Sequence, residues 1–149
     1  MRPEGRAAVT VRPARDDAEV EAAQRLRVEV FCDEQGVPRE IELDGSDQGT
    51  TPVVALDDEK LIGTCRLRFA GETCTLERMA VQANRRREGV GWTLLDGAED
   101  EARHGGASEM HLKGQLAARG FYERTGYTAV SEEIIKDAGI DHVAMRKAL

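Results

Sequence analysis

A glycine-containing loop between a strand pattern and a helix pattern constrains this chain more than any other feature. The loop is Arg86-Arg87-Glu88-Gly89-Val90-Gly91, and Cys74 to Val81 before it predict a strand. The helix after it ends at Gly105-Gly106 and carries one apolar stripe formed by Gly91, Leu94, Leu95, Ala98 and Ala102. A short strand at Glu109 to Leu112 follows. The sequence therefore predicts a β-α-β unit, the place where ligands bind in sheets of this kind.

The loop has the chemistry of a pyrophosphate site. Its two glycines, Gly89 and Gly91, let the main chain turn tightly and approach a ligand closely. The free N–H groups of the first helical turn then point at the ligand, and the helix dipole favours negative charge there. Arg85, Arg86 and Arg87 add positive charge at this spot in a chain whose formal net charge is -7.

Two well-known phosphate-loop patterns do not match. A mononucleotide P-loop requires Gly-x-x-x-x-Gly-Lys-Ser/Thr, which this chain lacks, and a dinucleotide fingerprint requires a third glycine where Leu94 stands. Two interpretations are left. One is a loop of the pattern Arg/Gln-x-x-Gly-x-Gly that binds a ligand, and the other is a glycine-rich turn beside solvated arginines.

The rest of the chain alternates strand and helix patterns. Asp16 and Glu19 have capping-box spacing for a first helix, and positions 34–51 predict a loop or a short helix plus loop. The other predicted elements are a strand at Thr10–Arg12, a hairpin of Val53–Leu56 and Leu61–Phe69, a helix at Ala117–Thr125, and strands at Tyr127–Val130 and Val143–Arg146. The order β-α-β-β-β-α-β-α-β-β predicts an α/β fold, a mixed α+β sheet with helices on both faces.

Length and composition exclude several classes of protein. The 149 residues suit one domain over 1–149, and the net charge of -7 argues against nucleic acid as a partner. No apolar run is long enough to span a membrane, and Met1 to Arg6 lack the apolar stretch of a secretory signal. We therefore expect a cytoplasmic protein. The three cysteines and three histidines lack the spacing of metal ligands, so no metal site is expected.

Several segments together resemble the GNAT superfamily of acyl-CoA-dependent N-acetyltransferases. The Arg86–Gly91 loop is similar to motif A of that superfamily, and Leu76–Val81 is similar to the strand before it. Ala117–Tyr127 looks like the later motif in which a Phe-Tyr pair precedes a glycine. Arg27–Asp47 and Gly139–Met145 are most similar to the ElaA-like branch, although that branch usually has Ala-Gln where this chain has Gly114-Gln115.

The resemblance implies a GNAT-like fold and a way of binding acetyl-CoA. The central sheet would be mostly antiparallel, with two parallel strands, Cys74–Val81 and Glu109–Leu112, splayed apart so that the pantetheine arm pairs with an exposed strand edge. The pyrophosphate would bind the main chain of the loop, and a main-chain N–H near Met79 to Val81 would polarise the thioester carbonyl. The implied cofactor-binding residues are Met79, Ala80, Val81, Arg86, Arg87, Glu88, Gly89, Val90 and Gly91.

The resemblance also implies two catalytic side chains. Attack requires a neutral amine, and Glu77 on the central strand is the first candidate for the base; the alternative is an ion pair with Arg66 or Arg78. Weaker candidates are Glu34 and Glu42, on the acceptor side. Tyr122 matches the position of the acid that protonates the departing thiolate. Its alternative is a packed aromatic residue whose hydroxyl bonds to the main chain.

The function implied is N-acetyl transfer from acetyl-CoA, as cosubstrate, to a primary amine by direct attack in a ternary complex. The expected partner is a small-molecule amine or a lysine side chain, with a homodimer left open and neither nucleic acid nor a membrane expected. A non-catalytic acyl-CoA-binding module or sensor is the alternative. It would keep the Arg86–Gly91 loop and would not depend on Glu77 or Tyr122.

Overall fold

The computed structural model describes residues 9–149. Its strands are β1 (Val9–Pro13), β2 (Thr51–Asp57), β3 (Lys60–Ala70), β4 (Thr73–Val81), β5 (Glu109–Gln115), β6 (Thr128–Ala129), β7 (Ile135–Asp137) and β8 (Ile140–Ala148). Its α-helices are α1 (Asp17–Arg27), α2 (Arg39–Glu42), α3 (Val90–His104) and α4 (Arg119–Arg124). A π-helical segment, Val28–Glu34, continues α1. Residues 1–8, whose composition is unlike a secretory signal, lie outside the described residues.

The eight strands between Val9 and Ala148 form one sheet in the order β1-β2-β3-β4-β5-β8-β6, and β7 pairs with β8. The pairs are antiparallel except for β4 and β5, which run parallel and are joined by α3. The predicted mixed, mostly antiparallel sheet with one parallel pair is therefore confirmed.

Helices cover both faces of the sheet, as alternate residues of β2 show. Val53 and Ala55 belong to the same buried cluster as Leu94 of α3. Val54 and Leu56 instead pack with Ala23 of α1. Because successive strand residues point to opposite faces, α1 and α3 lie on opposite sides of the sheet. We call these the α1 face and the α3 face.

The start of α1 follows the predicted capping pattern. The Asp16 carboxylate accepts a hydrogen bond of 2.9 Å from the Glu19 N–H. Glu19 in turn accepts from the Arg15 N–H at 2.7 Å and from the Arg12 guanidinium on β1. The cap therefore also attaches the helix to the edge strand, which fixes where α1 crosses the sheet.

The elements differ from the predicted ones mainly near the end of the chain. The closing strand is longer than predicted, Ile140–Ala148, and β7 (Ile135–Asp137) was not predicted. A strand of three residues carries too little alternation to stand out in the sequence, and β7 is defined by its pairing with β8. The hairpin of β2 and β3 is confirmed, with Asp58 and Glu59 in the turn, both at positive φ.

Candidate active site

The centre of the site is a gap between β4 and β5. The two strands pair only from Thr73–Leu76 to Glu109–Leu112, and then both continue, to Val81 and Gln115. The two predicted parallel strands are therefore present, and Glu109–Leu112 is the part of the second strand that pairs with β4 before it continues to Gln115. The strands diverge beyond it, so the edge of β4 from Glu77 onward has no strand partner on the β5 side among the described residues.

A β-bulge in β4 accompanies the divergence. The register with β3 shifts between Arg66, opposite Glu77, and Thr64, opposite Ala80, so β4 has one extra residue. Arg78 adopts φ 55°, a left-handed conformation in which a non-glycine residue is uncommon. The bulge turns the end of β4 over, so Glu77 and Ala80 lie on the α1 face and Met79 lies on the α3 face.

A cleft of about 890 Å³ passes through this gap. It brings together nine of the eleven predicted site residues: Glu77, Met79, Ala80, Val81, Arg86, Arg87, Gly89, Gly91 and Tyr122. The other two do not line the cleft. Glu88 bonds to Arg85, and the Val90 side chain is buried in the core, so only their main-chain groups are left to bind a ligand.

The loop before α3 has the backbone geometry that the sequence predicts. Gly89 is the N-terminal flanking residue of α3 and has φ 82°, which a glycine adopts without strain. The hydrogen bond from the Thr93 N–H to the Gly89 carbonyl, 3.0 Å, closes the first turn. The amides of Gly91 and Trp92 precede that bond and have no partner within the helix. Both residues line the cleft.

The three arginines of the loop have different surroundings. Arg85 bonds to Asp57 at 2.7 Å and to Glu88 at 2.8 Å, and Arg86 forms two bonds to Glu34 of 2.8 and 2.9 Å. The expectation that all three add charge for a ligand is therefore corrected. Arg87 is the one that lines the cleft without an ion pair to any residue between 9 and 149.

Tyr122 lies in the gap itself, on the α3 face. Its hydroxyl contacts the Met79 Sδ at 3.9 Å, which is a weak interaction. The ring passes close to β5, because a Cβ on Gly114 would lie 3.0 Å from the ring. Burial raises the pKa of Tyr122 to about 12, so the hydroxyl keeps its proton at neutral pH. Within residues 9–149 the Tyr122 hydroxyl forms no hydrogen bond with a main-chain group, so the alternative role predicted for it is not observed.

Glu77 projects into the cleft from the α1 face of β4 and is held by two guanidinium groups. Its carboxylate accepts hydrogen bonds from Arg66 at 2.8 Å and from Arg68 at 3.3 Å. Burial raises the pKa of Glu77, but the bonds from Arg68 and Arg66 together outweigh burial and leave it below its ordinary value. The predicted ion pair with Arg66 is present, whereas Arg78 lies beside Glu42 at 3.4 Å.

Glu42, one of the weaker predicted acceptor-side carboxylates, is buried and part of a charge network. It is 1% exposed and accepts from the Arg27 Nε at 2.6 Å. Arg27 also bonds to Asp47 at 2.7 Å, and Asp47 bonds to Arg66 at the same distance. Glu34 is held by Arg86. Neither Glu34 nor Glu42 lines the cleft, and the network instead ties α1 and the segment after α2 to the strand that carries Glu77.

Several polar residues that line the cleft were not predicted as site residues. They lie on distant segments and come together only through strand pairing: Asp44, Lys113, Gln115, Arg124, Asp137 and His142. Their sequence signal is weak, because each is a polar position in a pattern that also fits a solvated strand or loop. Register alone places Gln115 of β5 opposite His142 of β8.

Comparison with known proteins identifies the class to which this fold and cleft belong. The family model described as an acetyltransferase (GNAT) domain matches residues 14–149. An uncharacterised N-acetyltransferase of Bacillus subtilis (strain 168), YjcF, is 37% identical over 134 residues, which are 90% of this chain and 96% of that protein.

Two solved structures share the fold. The acyl-CoA N-acyltransferase from Pseudomonas aeruginosa is 28% identical, with a TM-score of 0.80 over 95% of this chain and 99% of the other. ElaA from Escherichia coli is 22% identical, with a TM-score of 0.80 over 94% of this chain and 98% of the other. The expected GNAT-like fold is thus confirmed.

These matches define the class of the protein as an acyltransferase that uses acyl-CoA. The chain belongs to the GNAT family of acetyltransferases. It is an enzyme that transfers acetyl groups, and its cosubstrate is acetyl-CoA, as in the rest of the family. Members of the family act on amine groups of small molecules or of proteins.

No helix within residues 9–149 is long and apolar enough to cross a membrane. No group of three or more His, Cys, Asp and Glu side chains in the same range could hold a metal ion.

Proposed function

We propose that the protein transfers the acetyl group of acetyl-CoA directly to a primary amine, with both substrates bound at once. The observation that carries this proposal is the gap between β4 and β5. The side chain of Tyr122 enters the gap from the α3 face, and the side chain of Glu77 enters it from the α1 face. A passage open to both faces admits a thioester from one side and an amine from the other, so no acyl-enzyme is required. Cys65 and Cys74 are buried, which also argues against a cysteine nucleophile.

The coenzyme end is proposed to bind through the main chain. The amides at the start of α3 and the left-handed Gly89 suit a pyrophosphate, and Arg87 lies beside them with no ion pair to any residue from 9 to 149. The edge of β4 from Glu77 onward has no strand partner on the β5 side within residues 9–149, and this suits the amides of a pantetheine arm, which would add to the sheet like a short strand. An N–H of Met79 to Val81 would then stabilise the negative charge on the thioester oxygen.

The proton transfers are proposed to involve Glu77 and Tyr122. As the amine nitrogen bonds to the carbonyl carbon, Glu77 accepts a proton from that nitrogen, directly or through a water molecule. The C–S bond then breaks, and Tyr122 donates its proton to the sulfur. Its pKa of about 12 keeps the hydroxyl protonated until the thiolate forms. The weak contact with Met79 leaves the hydroxyl available for this donation.

One acyltransferase domain over 1–149 is also part of the proposal. The single sheet, which extends from Val9 to Ala148, supports it. The acceptor side is proposed to be built from Phe31–Asp47, β5, β7 and β8. The net charge of -7 favours the approach of a cationic amine at long range.

The test measures release of the coenzyme thiol. The protein is incubated with acetyl-CoA and a panel of primary amines, including a polyamine, an aminoglycoside and a lysine peptide, and each acetylated product is identified by mass spectrometry. We expect thiol release that depends on at least one amine. Tight binding of acetyl-CoA in calorimetry without thiol release from any amine would contradict the proposal and favour a coenzyme sensor.

A further inference from the structure

A histidine that the proposed mechanism does not use lies on the acceptor side of the same cleft. His142 of β8 pairs with Gln115 of β5. Paired residues of neighbouring strands point to the same face, so His142 lies on the α1 face with Lys113 and Gln115. Glu77 lies on the same face. It pairs with Arg66, and Arg66 pairs with Pro52, which is two residues before Val54 on β2 and therefore points to the same side of the sheet as Val54. His142 and Glu77 therefore line one cleft from two walls.

The hydrogen bonding of His142 fixes which ring nitrogen is available. Its Nδ1 lies 2.7 Å from the Ile140 carbonyl oxygen. A carbonyl oxygen can only accept, so Nδ1 carries the hydrogen. In the neutral ring Nε2 then has a free lone pair, and no residue between 9 and 149 forms a hydrogen bond with it. The result is an oriented, half-buried imidazole with an unoccupied basic atom.

The charges around this ring come from several elements. Asp137 of β7 bonds to Lys113 of β5 at 2.8 Å, so these two charges largely balance each other next to His142. The other charged groups that line the cleft are Asp44, Arg66, Arg68, Glu77, Arg78, Arg86, Arg87 and Arg124. Most of these are already paired, and Glu77 has bonds from two arginines. His142 is the histidine among these side chains, and its Nε2 faces no hydrogen-bond partner within residues 9–149.

The reaction needs a second proton acceptor. An alkyl amine with a pKa of about 10.4 arrives as an ammonium ion and loses two protons before the amide is complete. One of these protons is balanced by the proton that Tyr122 gives to the sulfur, and the other leaves to solvent. A carboxylate bonded to two guanidinium groups is a poor acceptor from an ammonium ion, since its charge is already neutralised.

We propose that His142 Nε2 takes the first proton from the ammonium group of the acceptor and so produces the nucleophile. This assignment rests on the proposed N-acetyl transfer. The N–H bond breaks, the proton moves to Nε2, and it leaves to solvent through the open end of the cleft. Glu77 then takes the second proton as the nitrogen attacks the carbonyl carbon. Its proton returns to Tyr122 after the thiol has formed, and one proton is released in each turnover.

The test compares His142→Asn with the wild type on two acceptors that bind alike and differ in basicity. One is an alkyl amine found active in the panel, and the other is its fluorinated analogue, which is largely neutral at pH 7. For the alkyl amine we expect kcat/KM to fall about 100-fold at pH 7 and the deficit to narrow towards pH 9.5. For the fluorinated amine the deficit is expected to be less than about fivefold, because that amine has no ammonium proton to remove. Added imidazole should partly restore activity with the alkyl amine.

His111→Asn is the matched control. His111 lies on β5, on the same face, next to Glu109 and opposite Arg146 near the far end of the sheet, outside the cleft. This variant should keep the wild-type rates with both amines. Thermal unfolding and the Kd for acetyl-CoA should be unchanged in both variants.

Two results would overturn the assignment. One is an equal deficit with both amines at every pH, which a structural role would produce, and the other is an unchanged kcat/KM. Failure of the proposed function looks different, because the wild type itself would then release no thiol with any amine.

Discussion

The two ends of the cleft are built in different ways. The end that we propose for the coenzyme offers main-chain groups of one contiguous stretch, the end of β4, the loop and the start of α3. The end that we propose for the acceptor is lined by side chains from segments more than 100 residues apart, from Gln35 to His142. A main-chain site needs only a local backbone conformation, so its sequence signature is short and easily found. A side-chain site depends on register and on an ion-pair network, and its residues are scattered along the chain.

The largest effect is expected at the junction between the two ends. Tyr122→Phe removes the proposed proton donor and leaves the ring in place. We expect kcat to fall about 10²- to 10⁴-fold, the usual size of a general-acid contribution, with the Kd for acetyl-CoA unchanged. Stopped-flow measurement of thiol release in a single turnover isolates the chemical step. An unchanged rate of that step would exclude Tyr122 as the acid.

The charge network of the acceptor end predicts the next largest effect, on stability. Glu42→Gln leaves Arg27, 5% exposed, with a neutral partner in place of its carboxylate. Breaking a buried pair in this way is expected to lower the free energy of unfolding by about 3 kcal/mol, measured by urea denaturation. Glu40→Gln, on the exposed side of α2, should change it by less than about 0.5 kcal/mol. Equal effects of the two changes would mean that the network contributes nothing.

Gly89→Val tests the coenzyme end alone. The left-handed conformation at φ 82° costs a β-branched residue about 1–2 kcal/mol, and the added side chain would lie in the loop that we propose as the pyrophosphate site. We expect the Kd for acetyl-CoA to rise at least about tenfold in calorimetry. Gly71→Val is the control, since Gly71 has φ 60°, open surroundings and a position outside the cleft. If both variants bind acetyl-CoA normally, the loop is not the binding site.

The smallest effect is expected where Tyr122 passes β5. A Cβ at Gly114 would lie 3.0 and 3.1 Å from two ring carbons, so Gly114→Ala must displace the ring by a few tenths of an ångström. We expect a loss of about 1 kcal/mol in unfolding free energy and a modest loss of kcat. Gly120→Ala on α4 meets only the flexible end of Arg124 at 3.2 Å and should leave both unchanged. A more active Gly114→Ala enzyme would show that the ring is not yet optimally placed.

The sequence was sufficient for the fold and for the backbone geometry of the loop before α3. The hairpin of β2 and β3, the cap at Asp16 and the loop before α3 are local patterns, and each was predicted within a few residues. The bulge at Arg78 was not, because nothing in a run of apolar and charged strand residues marks an arginine as left-handed. Because the bulge was not predicted, the sequence could not show that Met79 points to the α3 face and Ala80 to the α1 face.

The acceptor end was predictable only in outline. Glu34 and Glu42 were reasonable candidates because carboxylates suit a cationic acceptor, yet both are occupied by arginines from elsewhere in the chain. Asp137 and His142 reach the cleft because β8 pairs with the distant strand β5 in one particular register and β7 pairs with β8. Long-range pairings of this kind leave no periodic signal in a single sequence.

The extra residue in β4 has a consequence for how the chain tolerates change in length. Removing Arg78 would restore strict alternation with β3, and every residue from Met79 to Val81 would then exchange one side of the sheet for the other. The thioether that now touches Tyr122 would point toward α1 and the alanine toward α4. Deletions here are thus equivalent to three simultaneous substitutions, so homologous enzymes that differ in length should place their gaps in the outer turns and never in this strand.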